Sequence, residues 1–301
     1  MSADPSSTST TDGTTDTSEL PPPPSSLDDV PGWFWRVDQE LFGWLLARQS
    51  ANGIKGDLLE LGSYLGRSAI LMGRHLQAGE RFTVCDLFDS EAPDEDNTAE
   101  MAMSYRKTLT RRAFEANYLA FHDELPQVVQ APTSVLADGR IPAGSCRFVH
   151  VDASHLYEHV AGDIQVARAA LVPDGLVVLD DYRSPHTPGV SAAVWEAVYV
   201  HGLKPVCLTP EKFYGTWGDQ EAVTRDLLAR DWRAEGFRLD EEHINGHTVH
   251  RLAWDDQAGP SGSRAGATGA GAARQQRSAV RRLALDLLPP VLTRAVRRAL
   301  H

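Results

Sequence analysis

The stretch Asp57-Leu58-Leu59-Glu60-Leu61-Gly62-Ser63-Tyr64-Leu65-Gly66-Arg67-Ser68 decides the fold. Residues 57–61 form a short apolar run of strand length that meets a turn at Gly62. Gly62 and Gly66 stand four apart, and a helical pattern through Ile70, Leu71 and Leu76 follows. Glycines permit positive φ and close approach of backbone to a ligand, and the helix start presents free N–H groups. Glu60 sits just before the turn and would repel a pyrophosphate. The loop therefore differs from the G-x-G-x-x-G turn that seats one, and it suits a cationic ligand.

Working outward, the same alternation recurs. Upstream, Phe34, Val37, Leu41, Trp44 and Leu45 make a helical stripe over residues 34–48. Downstream, Arg81–Asp86 reads as a second strand, a helix is expected through Tyr105, Leu109 and Phe114, and Val128-Val129 is a weak third strand. Arg147–Asp152 is a fourth, followed by a helix from about Tyr157 to Leu171. Pro173-Asp174-Gly175 then turns the chain into Leu176–Asp180, the fifth. A helix over roughly Gly189–His201 and late strands at Lys204–Thr209 and His247–Trp254 complete the series. Apolar strands alternating with helices predict an α/β, Rossmann-like doubly wound domain, with a mostly parallel seven-stranded sheet and helices on both faces. Ligands in such sheets bind beyond the carboxyl ends of the strands. Those ends carry Glu60, Asp86, Asp152, Asp180 and Asp181. Chance would scatter such carboxylates.

The folded domain is expected over residues 30–254. Residues 1–29 hold a Ser/Thr/Asp run and Pro21–Pro24, with five acids before Asp29 and no Lys or Arg. So few apolar groups do not offset the roughly 1–2 kcal/mol per residue that ordering a backbone costs, so an acidic disordered tail is expected. Residues 255–277, rich in Gly, Ala, Ser and Gln, read as a flexible linker. Residues 278–301 read as a basic amphipathic tail, which Pro289-Pro290 breaks into two pieces. Arg on one side and Leu on the other is an interfacial pattern. Peripheral membrane contact, docking onto the acidic body, a partner protein and disorder all stay open for it. The net charge of −12 argues against nucleic acid as a partner. Cys85, Cys146 and Cys207 have no metal-type spacing and read as free thiols of a reducing compartment. With no apolar run of membrane-spanning length and no signal-like start, the cytoplasm is the expected location.

Asp86 ends the second strand, where a carboxylate accepts hydrogen bonds from a ribose diol. Here a family resemblance becomes specific. Leu58–Ser68 resembles the first motif of the class I S-adenosylmethionine (SAM)-dependent methyltransferases. Phe148-Val149-His150-Val151-Asp152-Ala153-Ser154-His155-Leu156-Tyr157-Glu158, with Asp163, resembles the F-I-D-x-x-H-x-Y-E segment of one branch. Leu171-Val172-Pro173-Asp174-Gly175 to Asp180-Asp181-Tyr182 resembles that branch's L-x-P-G-G … D-D-Y motif, departing at Asp174. The branch includes macrolide-sugar and other small-molecule O-methyltransferases. By that likeness Glu60, Gly62 and Ser68 would hold the methionine end of SAM and Asp86 the ribose, with Ser63, Tyr64 and Gly66 in the same loop. Thr133, Ser134 and Asp152–His155 would line the adenine and methyl region.

A hydroxyl acceptor is a poor nucleophile until it loses its proton to a base or has its pKa lowered by a metal. Asp152, Asp180 and Asp181 converging at neighbouring strand ends would make a hard oxygen site suited to Mg²⁺. The resembling enzymes use acids this way, and some use the following histidine, here His155, as base; Asp152 is the substitute. His150, His159, His186 and His201 read as structural. Tyr64 and Arg67 face either the cleft or the solvent. Trp33-Phe34-Trp35 either covers the site or staples the first helix. The acidic stretch Phe88–Met103 is either a closing loop or a solvated one. The expected enzyme is a Mg²⁺-assisted O-methyltransferase acting on a sugar or other hydroxylated small molecule, with homodimerisation open. A nucleotide-dependent oxidoreductase and a non-catalytic scaffold of the same fold are the rivals.

Overall fold

The computed structural model describes residues 22–92, 95–96, 98 and 109–255. Expectations for residues 1–21, for Tyr105, and for the linker and tail from 256 onward lie outside the described residues. Among the described residues two units are distinguished, one ending at residue 230 and resuming over 239–253, and a small one of 231–238 with 254–255.

In chain order the elements are α1 (Arg36–Ala51), β1 (Asp57–Leu61), α2 (Arg67–Gly73), β2 (Phe82–Asp86), α3 (Arg111–Leu119), β3 (Gln127–Gln130), β4 (Cys146–Val151) and α4 (Tyr157–Ala170). They continue with β5 (Leu171–Leu179), α5 (Pro188–Tyr199), β6 (Lys204–Leu208), β7 (Phe213–Thr216), α6 (Gln220–Ala229), β8 (Phe237–Ile244) and β9 (His247–Trp254). One sheet runs β3-β2-β1-β4-β5-β7-β6-β9-β8. β3 to β5 pair in parallel, whereas β7 is antiparallel to β5 and β6. Chain order reverses between β1 and β4, so the switch point of this sheet lies where Gly62 and Asp152 emerge.

The α/β class is as expected, but the sheet has nine strands rather than seven. Phe213–Thr216 is only four residues long, too short for a periodicity to show. Phe237–Ile244 is joined to β9 through Asn245 and Gly246, both at positive φ, which is the two-residue hairpin signal of an Asn-Gly pair. Two boundaries also shift. Thr110 caps α3 by accepting the Ala113 N–H at 3.2 Å, which leaves Leu109 outside the helix. Leu171 opens β5 instead of ending α4, and the expected turn at Pro173-Asp174-Gly175 is absorbed as a register shift against β4.

The central strands are buried on both faces, and alternate residues go to different helices. Leu59, Leu61, Val149, Val151, Val177 and Leu179 pack with Val160 and Ile164 of α4 and Val190 and Val194 of α5. On the other face the ring of Phe42 from α1 meets Phe148 at 5.2 Å, His150 at 5.0 Å and Tyr214 at 5.8 Å. Glu60 and His150 are register partners, so both side chains enter the α1 face. In the small unit, Asp231 caps a 3-10 turn over Trp232–Glu235, and the Phe237 and Trp254 rings lie 5.0 Å apart.

Arg147 anchors the amino end of β4. It is fully buried and donates to both Glu80 oxygens at 2.9 and 3.0 Å, to Gln49 at 3.1 Å and to the His75 carbonyl at 2.7 Å. Removing one partner of a buried pair leaves the other charge uncompensated, at a cost of about 3–5 kcal/mol. Arg147→Ala should lower the unfolding free energy by that much, seen as a lower denaturant midpoint at an unchanged slope. A loss under about 1 kcal/mol in chemical denaturation would show that Glu80 finds water instead.

Candidate active site

Beyond the carboxyl ends of β1, β2 and β4 lies a cavity of about 330 Å³, at the low end of the roughly 300–1,000 Å³ typical of small-molecule pockets. Gly62, Tyr64, Asp86, Ser134, Asp152 and His155 line it, together with Thr133, Ala153 and Ser154. Leu87, Leu109, Ala131, Pro132, Ala137 and Val166 supply an apolar wall. Among the described residues its acidic lining is Asp86, Asp152, Glu158 and Asp163, and no Lys or Arg lines it. Such a wall attracts a cation and repels a phosphate chain.

The glycine loop is fixed by packing as well as by conformational freedom. Gly62 has φ 78°, and a Cβ there would stand 2.1 Å from the Asp152 carbonyl oxygen. Asp152 N–H donates to the Leu61 carbonyl at 2.7 Å, so the two strand ends touch backbone to backbone. Asp86 ties the loop down. One of its oxygens accepts the Ser63 and Tyr64 N–H groups at 2.7 and 3.0 Å, and the other accepts the Phe88 N–H at 2.7 Å. Burial pushes its carboxyl up, and these three donors pull it back only in part. Glu60, Ser63, Gly66 and Ser68 are not among the lining residues. Glu60 is wholly buried behind the loop, where burial raises its carboxyl to about 8 against the opposing Ser68 hydrogen bond. Its Oε2 has no partner among the described residues. Tyr64 faces the cleft and its ring lies 5.4 Å from that of Trp33, which also lines the cavity. Arg67 turns away, bonding Asp28 at 2.6 Å and the carbonyls of Leu27 and Gly32.

His155 and Asp181 form a dyad, with His155 Nε2 3.0 Å from Asp181 Oδ2. Burial would raise the Asp181 carboxyl, but hydrogen bonds from His155 and Ser184 outweigh it and hold it at about 2. An ionised Asp181 accepts, so Nε2 donates, and in the neutral imidazole the lone pair is then on Nδ1. Asp181 has φ 57°, a left-handed conformation that a non-glycine residue adopts at a cost. That kink parts it from Asp180, and it does not join Asp152 and Asp180 in one group.

The group that does form is His150, Asp152 and Asp180, whose donor atoms lie within 4.8 Å of one another. Lys212, absent from the sequence-based expectation, enters its centre. The Lys212 ammonium pairs with Asp180 Oδ2, lies 3.9 Å from Asp152 Oδ2 and 3.3 Å from His150 Nε2, and is 1% exposed. Burial alone would push this ammonium down, but Asp180, Asp152 and Asp38 together raise it above its ordinary value. His150, read from sequence as structural, accepts from Lys212 on one side and meets Glu60 Oε1 at 2.8 Å on the other. Burial and Lys212 hold the imidazole neutral. Asp38 of α1 closes the cluster, accepting from Thr209 at 2.7 Å and Tyr214 at 2.8 Å, its carboxyl raised by burial to about 6. Burial and then Asp180 push the Asp152 carboxyl well up, although its side chain is 34% exposed, so water moderates the effect.

The expected Mg²⁺ does not fit this arrangement. A divalent ion about 4 Å from the ammonium would meet a repulsion of roughly 8 kcal/mol at an effective dielectric of 20. Mg²⁺ also demands near-octahedral oxygen ligands, whereas one of the three donors here is an imidazole already hydrogen-bonded at both nitrogens.

Residues 59–182 match a family model described as a methyltransferase domain. No curated protein matches the sequence. Among solved structures, the O-methyltransferase NovP is 20% identical, with 61% of this chain and 80% of that one covered and a TM-score of 0.49. Apo CalS11, a TDP-rhamnose 3'-O-methyltransferase of calicheamicin biosynthesis, is 17% identical over 62% of this chain and 82% of its own, with a TM-score of 0.43. TomG, an O-methyltransferase from Streptomyces achromogenes determined with SAM, is 19% identical over 60% and 80%, with a TM-score of 0.38. The methyltransferase-domain match begins inside β1 and ends past the carboxylates that follow β5, so it spans the strands that carry this site.

Proposed function

We propose that the chain transfers a methyl group from SAM to a hydroxyl of a small molecule, a sugar or a related metabolite, with His155 as the base. The observation that carries this reading is a cavity walled by carboxylates and apolar groups, with the His155–Asp181 dyad at its edge. Gly62, Tyr64, Asp86, Ser134 and Asp152 would hold SAM. Bound there, SAM supplies the methyl group and keeps the electron pair of the broken carbon–sulfur bond. The acidic wall suits its ammonium and sulfonium, and it counts against a dinucleotide. The cofactor's positive charge also gives the orphaned Glu60 oxygen a reason to ionise.

His155 takes the acceptor proton at Nδ1, because Nε2 is committed to Asp181. Asp181 keeps the imidazole in that tautomer and stabilises the imidazolium that results. Asp152 is the alternative base, its carboxyl raised by burial and then by Asp180. The acceptor oxygen thus gives up hydrogen as it gains carbon, and the products are a methyl ether and S-adenosylhomocysteine. Trp33, 59% exposed at the cavity, offers an aromatic face of the kind that covers the apolar side of a sugar ring.

Calorimetric titration of the full chain with SAM should give micromolar binding, and Asp86→Ala should abolish it by releasing the loop. No heat with the wild type would overturn the assignment. With its pKa near 8, Glu60 is mostly protonated at pH 7, and a cation bound in the cavity beyond the Gly62 turn favours the carboxylate. Titrations in buffers of differing ionisation enthalpy should therefore show protons released on binding. Glu60→Gln should bind without that release; equal release in both would place the proton elsewhere. Once an acceptor is found, His155→Gln should lower kcat by about 10²–10⁴ with SAM affinity kept. An unchanged kcat would remove His155 from the role of base.

A further inference from the structure

We infer that Lys212 is the resident cation of this active site: its ammonium stands where a divalent ion would bridge Asp152 and Asp180, and it makes the site independent of metal. The inference rests on the methyltransferase reading only for what the site is used for; the placement of the ammonium stands by itself. Lys212 is a positioning residue, since it does not line the cavity and acts through the carboxylates that it neutralises.

The geometry is that of a built site. Lys212 lies in the turn between β6 and β7, and its backbone is locked in both directions. Its N–H donates to Thr209 Oγ1 at 2.9 Å, and the Thr209 N–H donates to its carbonyl at 2.9 Å. The Thr209 hydroxyl is itself held by Asp38. From that anchor the stem runs inward, and the ammonium meets Asp180, Asp152 and His150, with the Phe34 ring 5.6 Å away. Each polar neighbour has a use for a monocation. Asp180 gains a counter-ion in a water-poor place, and His150 gains a donor that sets its tautomer. A lysine suits this position because its charge is compact and its stem flexible, whereas the broad guanidinium of Arg would need a planar partner. A divalent ion could enter only by displacing an ammonium that is itself 1% exposed.

The test uses the full-length chain and Mn²⁺ as the probe, followed by the loss of its free-ion paramagnetic resonance signal. Wild type should leave the signal undiminished up to millimolar ion. Lys212→Met, which keeps the stem and removes the charge, should take up one equivalent, and Asp180→Asn in the same chain should abolish that uptake. One tightly bound Mn²⁺ on the wild type, lost in Asp180→Asn, would overturn the inference whether or not the Lys212 variant folds. A wild type that binds no ion and a folded Lys212→Met that also binds none would overturn it too, because the ammonium would then not be what excludes the metal. SAM titration of the wild type in chelator separates the two readings. Unchanged affinity supports a metal-independent site. Affinity present only when Mg²⁺ is added back overturns the inference. No affinity in either condition sinks the methyltransferase reading and leaves the Mn²⁺ result to decide the role of Lys212.

Discussion

The pairing of the Lys212 ammonium with Asp180 is the interaction on which the rest of the site depends. Five ionisable groups, Asp38, Glu60, His150, Asp152 and Asp180, come together on the α1 face and at the strand ends beside it. Buried carboxylates cannot all be charged at once without counter-ions. One ammonium pairs with one of them, and the carboxyls of the others are raised by burial. Asp38 rises to about 6, Glu60 to about 8, and Asp152 is pushed well up. Removing the ammonium would leave a like-charged cluster inside the body, which is why its place is fixed by the backbone of the β6–β7 turn as well as by its own contacts.

Four acids close together in sequence motifs thus come to do different things, and the environment assigns each. Asp86 is consumed by backbone N–H groups and shapes the glycine loop. Asp181 sits beside His155 and Ser184 and stays ionised, able to orient an imidazole. Asp180 answers the lysine, and Asp152 stands between that pair and the cavity. The separation of Asp180 from Asp181 is a matter of backbone. Residue 181 takes a left-handed conformation, and neighbouring side chains that an extended strand would send to opposite faces are redirected at the turn.

Much of this was legible in the sequence, for a definite reason. Parallel strands buried on both faces are short, apolar and bounded, so Leu58–Leu61, Phe82–Cys85, Phe148–Val151 and Leu176–Leu179 stand out, and whatever follows them must lie at one edge of the sheet. Lys212 was not legible in that way. It lies 32 residues past Asp180, beyond α5 and β6, and the antiparallel return of β7 alone brings it back. A faint signal existed: the chain has four lysines among its 29 basic residues, and Lys212 is followed directly by the apolar Phe213-Tyr214. The β8–β9 hairpin carried a stronger one in Asn245-Gly246. His150 was masked by its place inside an apolar strand, where a histidine with no spacing partner reads as core.

The buried chain Glu60–His150–Lys212–Asp180 also explains why a histidine, rather than an apolar residue, occupies the middle of β4. An imidazole can donate from one nitrogen and accept at the other, so it joins an acid behind the glycine loop to an ammonium beneath the acceptor side. With its Nε2 accepting from Lys212, its Nδ1 must donate, and Glu60 is the acceptor at 2.8 Å. An aliphatic side chain at this position would leave Glu60 Oε1 without the imidazole donor and Lys212 without that acceptor. The neutral state of His150 is then a requirement of the chain and follows from its neighbours: a second cation beside Lys212 would undo the balance that keeps Asp180 paired.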